Sequence, residues 1–134
     1  MSFHKLLGQE GEKLAEKYLR KLGYTFVCRN YACKAGEIDL VFLDGDDLVF
    51  AEVKTMSSKT EEAFGAPGEK VTEEKQRHNT LAASHFLATH REFARPFTPR
   101  FDVVEVTLCM DGAHFAHHKN AFEAADGGTN RKLL

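Results

Sequence analysis

Two apolar-rich runs, separated by four polar residues, dominate the pattern of this chain. They are Glu37-Ile38-Asp39-Leu40-Val41-Phe42-Leu43 and Leu48-Val49-Phe50-Ala51-Glu52-Val53-Lys54, flanking Asp44-Gly45-Asp46-Asp47. That spacer has turn composition, and the whole predicts a β-hairpin. With Gly45 and Asp46 at the turn, Asp44 faces Asp47, Asp39 faces Glu52 and Glu37 faces Lys54. The other face then pairs Ile38 with Val53, Leu40 with Ala51 and Phe42 with Val49, all apolar. A slip of one residue would scatter charge over both faces, which supports this register.

The flanking pattern predicts helix over residues 5–22. Leu7, Leu14, Ala15, Tyr18, Leu19 and Leu22 recur at helical spacing, and Gly23 marks the stop. Tyr24–Asn30 predicts a first strand, joined to the hairpin by residues 31–36. Residues 55–68 are polar and rich in small side chains, a long loop that could form a lid over substrate or stay disordered until a partner binds. A second helix is expected over residues 69–90, with Val71, Leu81, Ala82, Phe86 and Leu87 apolar. Pro96 and Pro99 bracket a linker. Arg100–Leu108 reads as a strand within a sheet, Asp111-Gly112 as a turn, and Ala113–His118 as a short returning strand. The expected organisation is one α/β domain over residues 1–119, with a frayed tail over 120–134. Its mixed central sheet is flanked by helices, and the long second helix permits a parallel crossover.

The predicted hairpin gathers Glu37, Asp39, Glu52 and Lys54 on one patch. Carboxylates a few ångströms apart repel unless a positive charge lies between them. Their oxygens suit Mg²⁺ or Mn²⁺. A lysine beside such an ion can position a water or stabilise developing negative charge. The plainer reading is a salt-bridged sheet end, but three acids against one base leave negative charge over. Arg29 and Asn30, at the exit of the first strand, could reach a phosphate or pair with these acids. Lys75 could point to the same patch or stand in solvent. Taken alone, Glu12 reads as a surface glutamate, although Gly8 and Gly11 beside it would permit close backbone approach.

Composition narrows the setting. The chain has 134 residues and a formal net charge of −2, so nothing advertises nucleic-acid binding through bulk positive charge. No apolar stretch is long enough to span a membrane, and the first residues lack a signal-peptide core. A cytoplasmic protein is expected. Cys28, Cys33 and Cys109 lack the paired spacing of a zinc site and read as incidental free thiols. His78 and His85 stand too far apart along a helix to share an ion. The pair His117-His118 has no neighbour in sequence to complete a metal set.

Several segments together carry a resemblance. They are Gly8-x-x-Gly11-Glu12 with Ala15 and Tyr18-Leu19; Gly23-Tyr24; Arg29-Asn30-Tyr31; Gly36-Glu37-Ile38-Asp39-Leu40; Val49-Phe50-Ala51-Glu52-Val53-Lys54; Lys75; and Arg100-Phe101-Asp102-Val103-Val104. On these the chain resembles the YraN-type family of uncharacterised bacterial proteins. That family is placed by similarity in the PD-(D/E)XK nuclease superfamily, near Holliday junction resolvases. The resemblance implies a restriction-endonuclease-like fold and a Mg²⁺ or Mn²⁺ cofactor. Asp39 and Glu52 would be metal ligands and Lys54 the catalytic lysine, with Glu12 near the metal. From their positions in the chain, rather than from the resemblance, Arg29, Asn30 and Lys75 are the candidate substrate contacts. The resemblance also implies a DNA partner, with branched DNA as the substrate and a homodimer as the working form. Two positions depart from the pattern. Thr55-Met56 stands where the family often has Thr-Arg, and Ile38 where the superfamily has proline. The competing expectations are a nucleic-acid-binding module without catalysis and a protein-interaction subunit.

Overall fold

The computed structural model describes residues 2–57 and 71–124. Helix α1 (Phe3–Lys21) is followed by strands β1 (Thr25–Cys33), β2 (Gly36–Asp44) and β3 (Asp47–Ser57). Helix α2 (Glu73–Thr89) comes next, then one 3₁₀ turn at Arg91–Phe93, β4 (Thr98–Cys109) and β5 (Gly112–Phe122). The five strands form one sheet in sequence order. All neighbours are antiparallel except β3 and β4, which run parallel across the α2 crossover. The architecture is α/β with a mixed sheet between two helices.

Each helix covers one face through a narrow stripe. In α1 the buried positions are Gly11, Ala15 and Leu19, four residues apart and so on one side. They pack on Leu40, Phe42, Val49, Ala51, Val104 and Val106. Ser2 caps the start of α1 by accepting the Lys5 N–H at 3.2 Å. Gly23, at φ 96°, ends it. On the opposite face Ala82, Ala83, Phe86 and Leu87 of α2 meet Ile38, Val41, Leu48, Phe50 and Phe101.

Several expected boundaries move. Strand β1 extends to Cys33, so only Lys34 and Ala35 connect it to β2. Helix α2 starts at Glu73, because the Thr72 hydroxyl accepts the Lys75 N–H at 3.1 Å and caps it. Val71 is buried ahead of the helix, and Leu81, expected inside, is exposed. Pro99 lies within β4 rather than in a linker. Strand β5 continues to Phe122, past the expected end at His118. There the Asn120 N–H donates to Asp102 at 3.0 Å, and Phe122 stacks on Phe101 with ring centroids 4.9 Å apart. The rest of the expected tail, and loop residues 58–68 with the expected helix start at 69–70, lie outside the described residues.

The hairpin register is as expected over five pairs, from Asp44–Asp47 to Leu40–Ala51. There the ladder ends, so the expected pairs 39–52 and 37–54 do not form. Instead the Asp39 carboxylate accepts the Val53 N–H at 2.8 Å. The expectation that Ile38 shares a face with Leu40 and Phe42 also fails. Leu40 packs in the α1 layer, whereas Ile38 packs in the α2 layer. The adjoining strand changes sides at the same level. Arg29 reaches Glu16 on α1, while Tyr31 packs edge-on against Phe86 of α2. Between them Asn30 adopts φ 52°, a conformation asparagine tolerates better than most residues. Both strands thus switch faces at Asn30 and Asp39, and polar side chains from both layers meet where the strands part.

Candidate functional site

Glu52 leaves β3 on the α2 side, in phase with Leu48 and Phe50, and is buried. Its carboxylate meets the Lys75 ammonium at 3.0 Å. Asp39 lies close enough to feel both. Burial, the Glu52 charge and the Glu12 charge push its carboxyl up to about 8, against the opposing pull of the Val53 N–H and Lys75. Burial opposes the charge on Lys75, but Glu52 foremost, with Asp39 and Glu37, raises its pKa nonetheless. Lys54, two residues beyond Glu52 on the same strand, emerges on the same side and lies in register with Glu105 of β4.

Glu12 approaches from α1. Helix and strand close tightly here: a Cβ on Gly11 would lie 1.7 Å from Thr55 Oγ1. Only glycine allows that approach. Gly36 does similar work for α2, since its Cβ would lie 3.1 Å from His78 Cβ. Gly8 has open space around it and takes no part. Glu12 Oε1 accepts from Asn30 Nδ2 at 2.9 Å, and that amide also reaches Glu37 Oε1 at 3.4 Å. Asn30 therefore ties two acids together at the rim.

Arg29 is directed elsewhere. Its guanidinium donates to Glu16 at 2.9 and 3.0 Å, and that pairing holds the Glu16 carboxyl below the usual carboxylate range. It is not paired with the hairpin acids. With Gln9, Glu12, Lys13, Glu16, Asn30 and Leu40 it lines a groove of about 310 Å³ along α1. Lys75, read from sequence as free to stand in solvent, points into the acid cluster.

The donor set fits a hard divalent ion. Asp39 and Glu52 offer oxygen ligands, and a cation would relieve the repulsion that adds to burial in raising Asp39. Glu12 is turned to Asn30, and its charge still bears on Asp39. Sequence reasoning missed Asn79. It lies one turn on from Lys75 on the same helix face, is 3% exposed, and its Oδ1 has no hydrogen-bond partner among the described residues. A buried acceptor left unpaired is costly. An apolar position was the natural expectation there, and no spacing signal would have singled it out.

A second ionic constellation occupies the other end of the sheet. Arg100 donates twice to Asp102, both at 2.9 Å, and to Asp44, Asp47 and the Tyr24 hydroxyl at 2.8, 2.9 and 3.0 Å. His117 Nε2 donates to Asp102 at 2.8 Å. The consecutive histidines part to opposite faces, and His118 pairs with buried Glu105 at 2.7 Å. Both charged residues of the Arg100-Phe101-Asp102 segment are thus answered inside the fold.

Residues 11–106 match the model of the uncharacterised protein family UPF0102. The chain belongs to this family. A UPF0102 protein of Geobacter metallireducens is 42% identical over 126 residues, covering 93% of this chain and 99% of that protein. One from Geobacter sulfurreducens is 42% identical over 123 residues, 91% and 92% of the two chains. One from Caldicellulosiruptor saccharolyticus is 44% identical over 102 residues, 76% and 82%. The segment matched by the UPF0102 model holds Glu12, Asp39, Glu52, Lys75 and Arg100 with its acids, and ends before His117 and His118. None of these names states an activity. No helix among the described residues is long and apolar enough to cross a membrane.

Proposed function

We propose that this UPF0102 protein is a divalent-metal-dependent endonuclease of restriction-endonuclease-like fold that hydrolyses DNA phosphodiester bonds. The observation carrying this reading is Asp39. Its carboxyl, pushed up to about 8 first by burial and then by the charges of Glu52 and Glu12, stands beside a buried second acid. Asp39 and Glu52 would hold Mg²⁺ or Mn²⁺, with Glu12 acting through water. The ion would supply charge stabilisation at the scissile phosphate. Lys54 orients the attacking water and stabilises charge as it develops on phosphate. Lys75 and Asn30 line the approach and contact substrate, while Arg29 takes part only by releasing Glu16. Resemblance to resolvases favours branched DNA, and cutting two strands symmetrically calls for a homodimer.

The test is a panel of single-stranded, duplex and branched DNA incubated with Mn²⁺ and the wild-type protein. Cleavage is expected, and Lys54→Ala should remove it while leaving Mn²⁺ binding in place. Intact DNA throughout the panel would defeat the enzymatic reading. One observation favours a second reading, a nucleic-acid-binding module without catalysis. Position 56, where a cation would meet the backbone of a substrate, holds a buried methionine. That module would retard DNA in a salt-dependent way and leave it uncut.

A further inference from the structure

At the opposite end of β4 from Arg100 lies a group with different chemistry. Cys109 closes β4, Asp111 sits in the tight β4–β5 turn, and His114 is the third residue of β5. One ligand atom from each, a sulfur, a carboxylate oxygen and an imidazole nitrogen, lies within 4.8 Å of the other two. Among the described residues this is the group of three ligating side chains that converges so closely. The hairpin holds it in place: Cys109 pairs with Gly112, Leu108 with Ala113 and Thr107 with His114. Gly112, at φ 130°, provides the backbone shape that closes the turn.

We infer that Cys109, Asp111 and His114 form a binding site for a borderline-soft transition ion, with Zn²⁺ as the fitting class. Bond lengths of 2.0–2.3 Å in tetrahedral geometry place ligand atoms roughly 3.3–3.6 Å apart. The His114 Nε2 to Asp111 Oδ1 separation is already 3.0 Å, and small rotations of exposed side chains complete the rest. On coordination the Cys109 thiol and the His114 Nε2 would each give up a proton to solvent, and the ion would take over the carboxylate that His114 now engages. Three protein ligands leave one position open to water or to a donor from another molecule. A thiolate and an imidazole select against Mg²⁺, whereas the Asp39–Glu52 cluster offers only oxygen. The two sites therefore differ in the metal they take. Cysteine spacing alone hid this one, because its partners are a histidine and an aspartate across a turn.

The probe is Co²⁺, whose bond to a thiolate produces a charge-transfer absorption in the near ultraviolet. Titration of the full chain should give that band, saturating at one equivalent. Zn²⁺ should bleach it. Cys109→Ser should abolish it, and His114→Ala and Asp111→Asn should each weaken Co²⁺ binding by about tenfold or more. Asp39→Asn, Cys28→Ser and Cys33→Ser should leave it unchanged. No thiolate band in the wild type overturns the inference. So does a band that survives Cys109→Ser, or one indifferent to both His114→Ala and Asp111→Asn. DNA cleavage is not among the readouts, so this site stands or falls apart from the proposed nuclease activity.

Discussion

Two aspartates on one sheet, Asp102 buried and Asp39 half-buried, meet opposite fates. Asp102 is fully buried, yet its carboxyl is held below the ordinary value: burial works against its charge, but His117, Arg100 and the Asn120 N–H outweigh it. At Asp39 burial is again the largest influence, but one backbone N–H and Lys75 do not outweigh it together with Glu52 and Glu12, and the carboxyl is pushed up to about 8. Burial thus does not decide whether an acid is charged; the number and sign of the groups aimed at it do. Arg100, with five donors in a planar fork, is what the first region has and the second lacks. One region is an internally balanced clamp joining β4 to the β2–β3 turn. The other is left open to something positive from outside.

Breaking the clamp should have the largest effect. Arg100→Ala strands Asp102 without its main partner inside the fold. It should cost about 3–5 kcal/mol, the usual penalty for halving a buried ion pair, read as a lower urea midpoint. Gly11→Ala comes next. Its methyl would have to displace Thr55 or lift α1 from β3, and a loss of about 1–3 kcal/mol is expected, the range for overpacking. Gly8→Ala, in open space on the same helix, should instead stabilise by roughly 0.5–1 kcal/mol. The pair of glycine variants separates helix propensity from close approach.

The pH dependence of stability sharpens the contrast by sign. Asp39 has a folded pKa above its unfolded one. Between its ordinary 3.8 and about 8 the folded chain holds a proton that the unfolded chain has released. Stability from this group therefore falls as pH rises through that window. Asp39→Asn should remove the slope and stabilise the metal-free protein at pH near 8 by on the order of 1 kcal/mol or more. Asp102 behaves oppositely. Its stabilisation is present above the unfolded pKa and is lost as pH falls through the lowered folded one. Urea denaturation at several pH values measures both. The smallest effect is expected at Lys75, whose ammonium competes with an added ion for Glu52. Lys75→Ala should tighten Mn²⁺ binding by about two- to tenfold. Unchanged affinity would mean that the bridge does not compete.

The hairpin was legible because two unbroken apolar runs, Leu40–Leu43 and Leu48–Ala51, flank an Asp-Gly turn, and the helix faces because Ala15, Leu19, Phe86 and Leu87 recur at helical spacing. The face switch at Asn30 and Asp39 was not. It depends on one residue's left-handed backbone and on a carboxylate taking the Val53 N–H, neither of which leaves a mark on periodicity. The length of β5 was hidden for a similar reason. Lys119-Asn120 reads as the start of a tail, but Asp102, eighteen positions back, captures the Asn120 amide. Asp39, Glu52, Lys54 and Glu12 were singled out by their spacing and by resemblance. The inward aim of Lys75, the diversion of Arg29 to Glu16 and the unpaired Asn79 depend on how α1 and α2 settle on the sheet.

The central claim is that Asp39 and Glu52 share a divalent cation. Calorimetric titration of Mn²⁺ into wild-type protein and Asp39→Asn tests it most directly. Saturable heat in the wild type that is lost in the variant is the expected result. No heat in the wild type, or equal heat in both, would contradict the account.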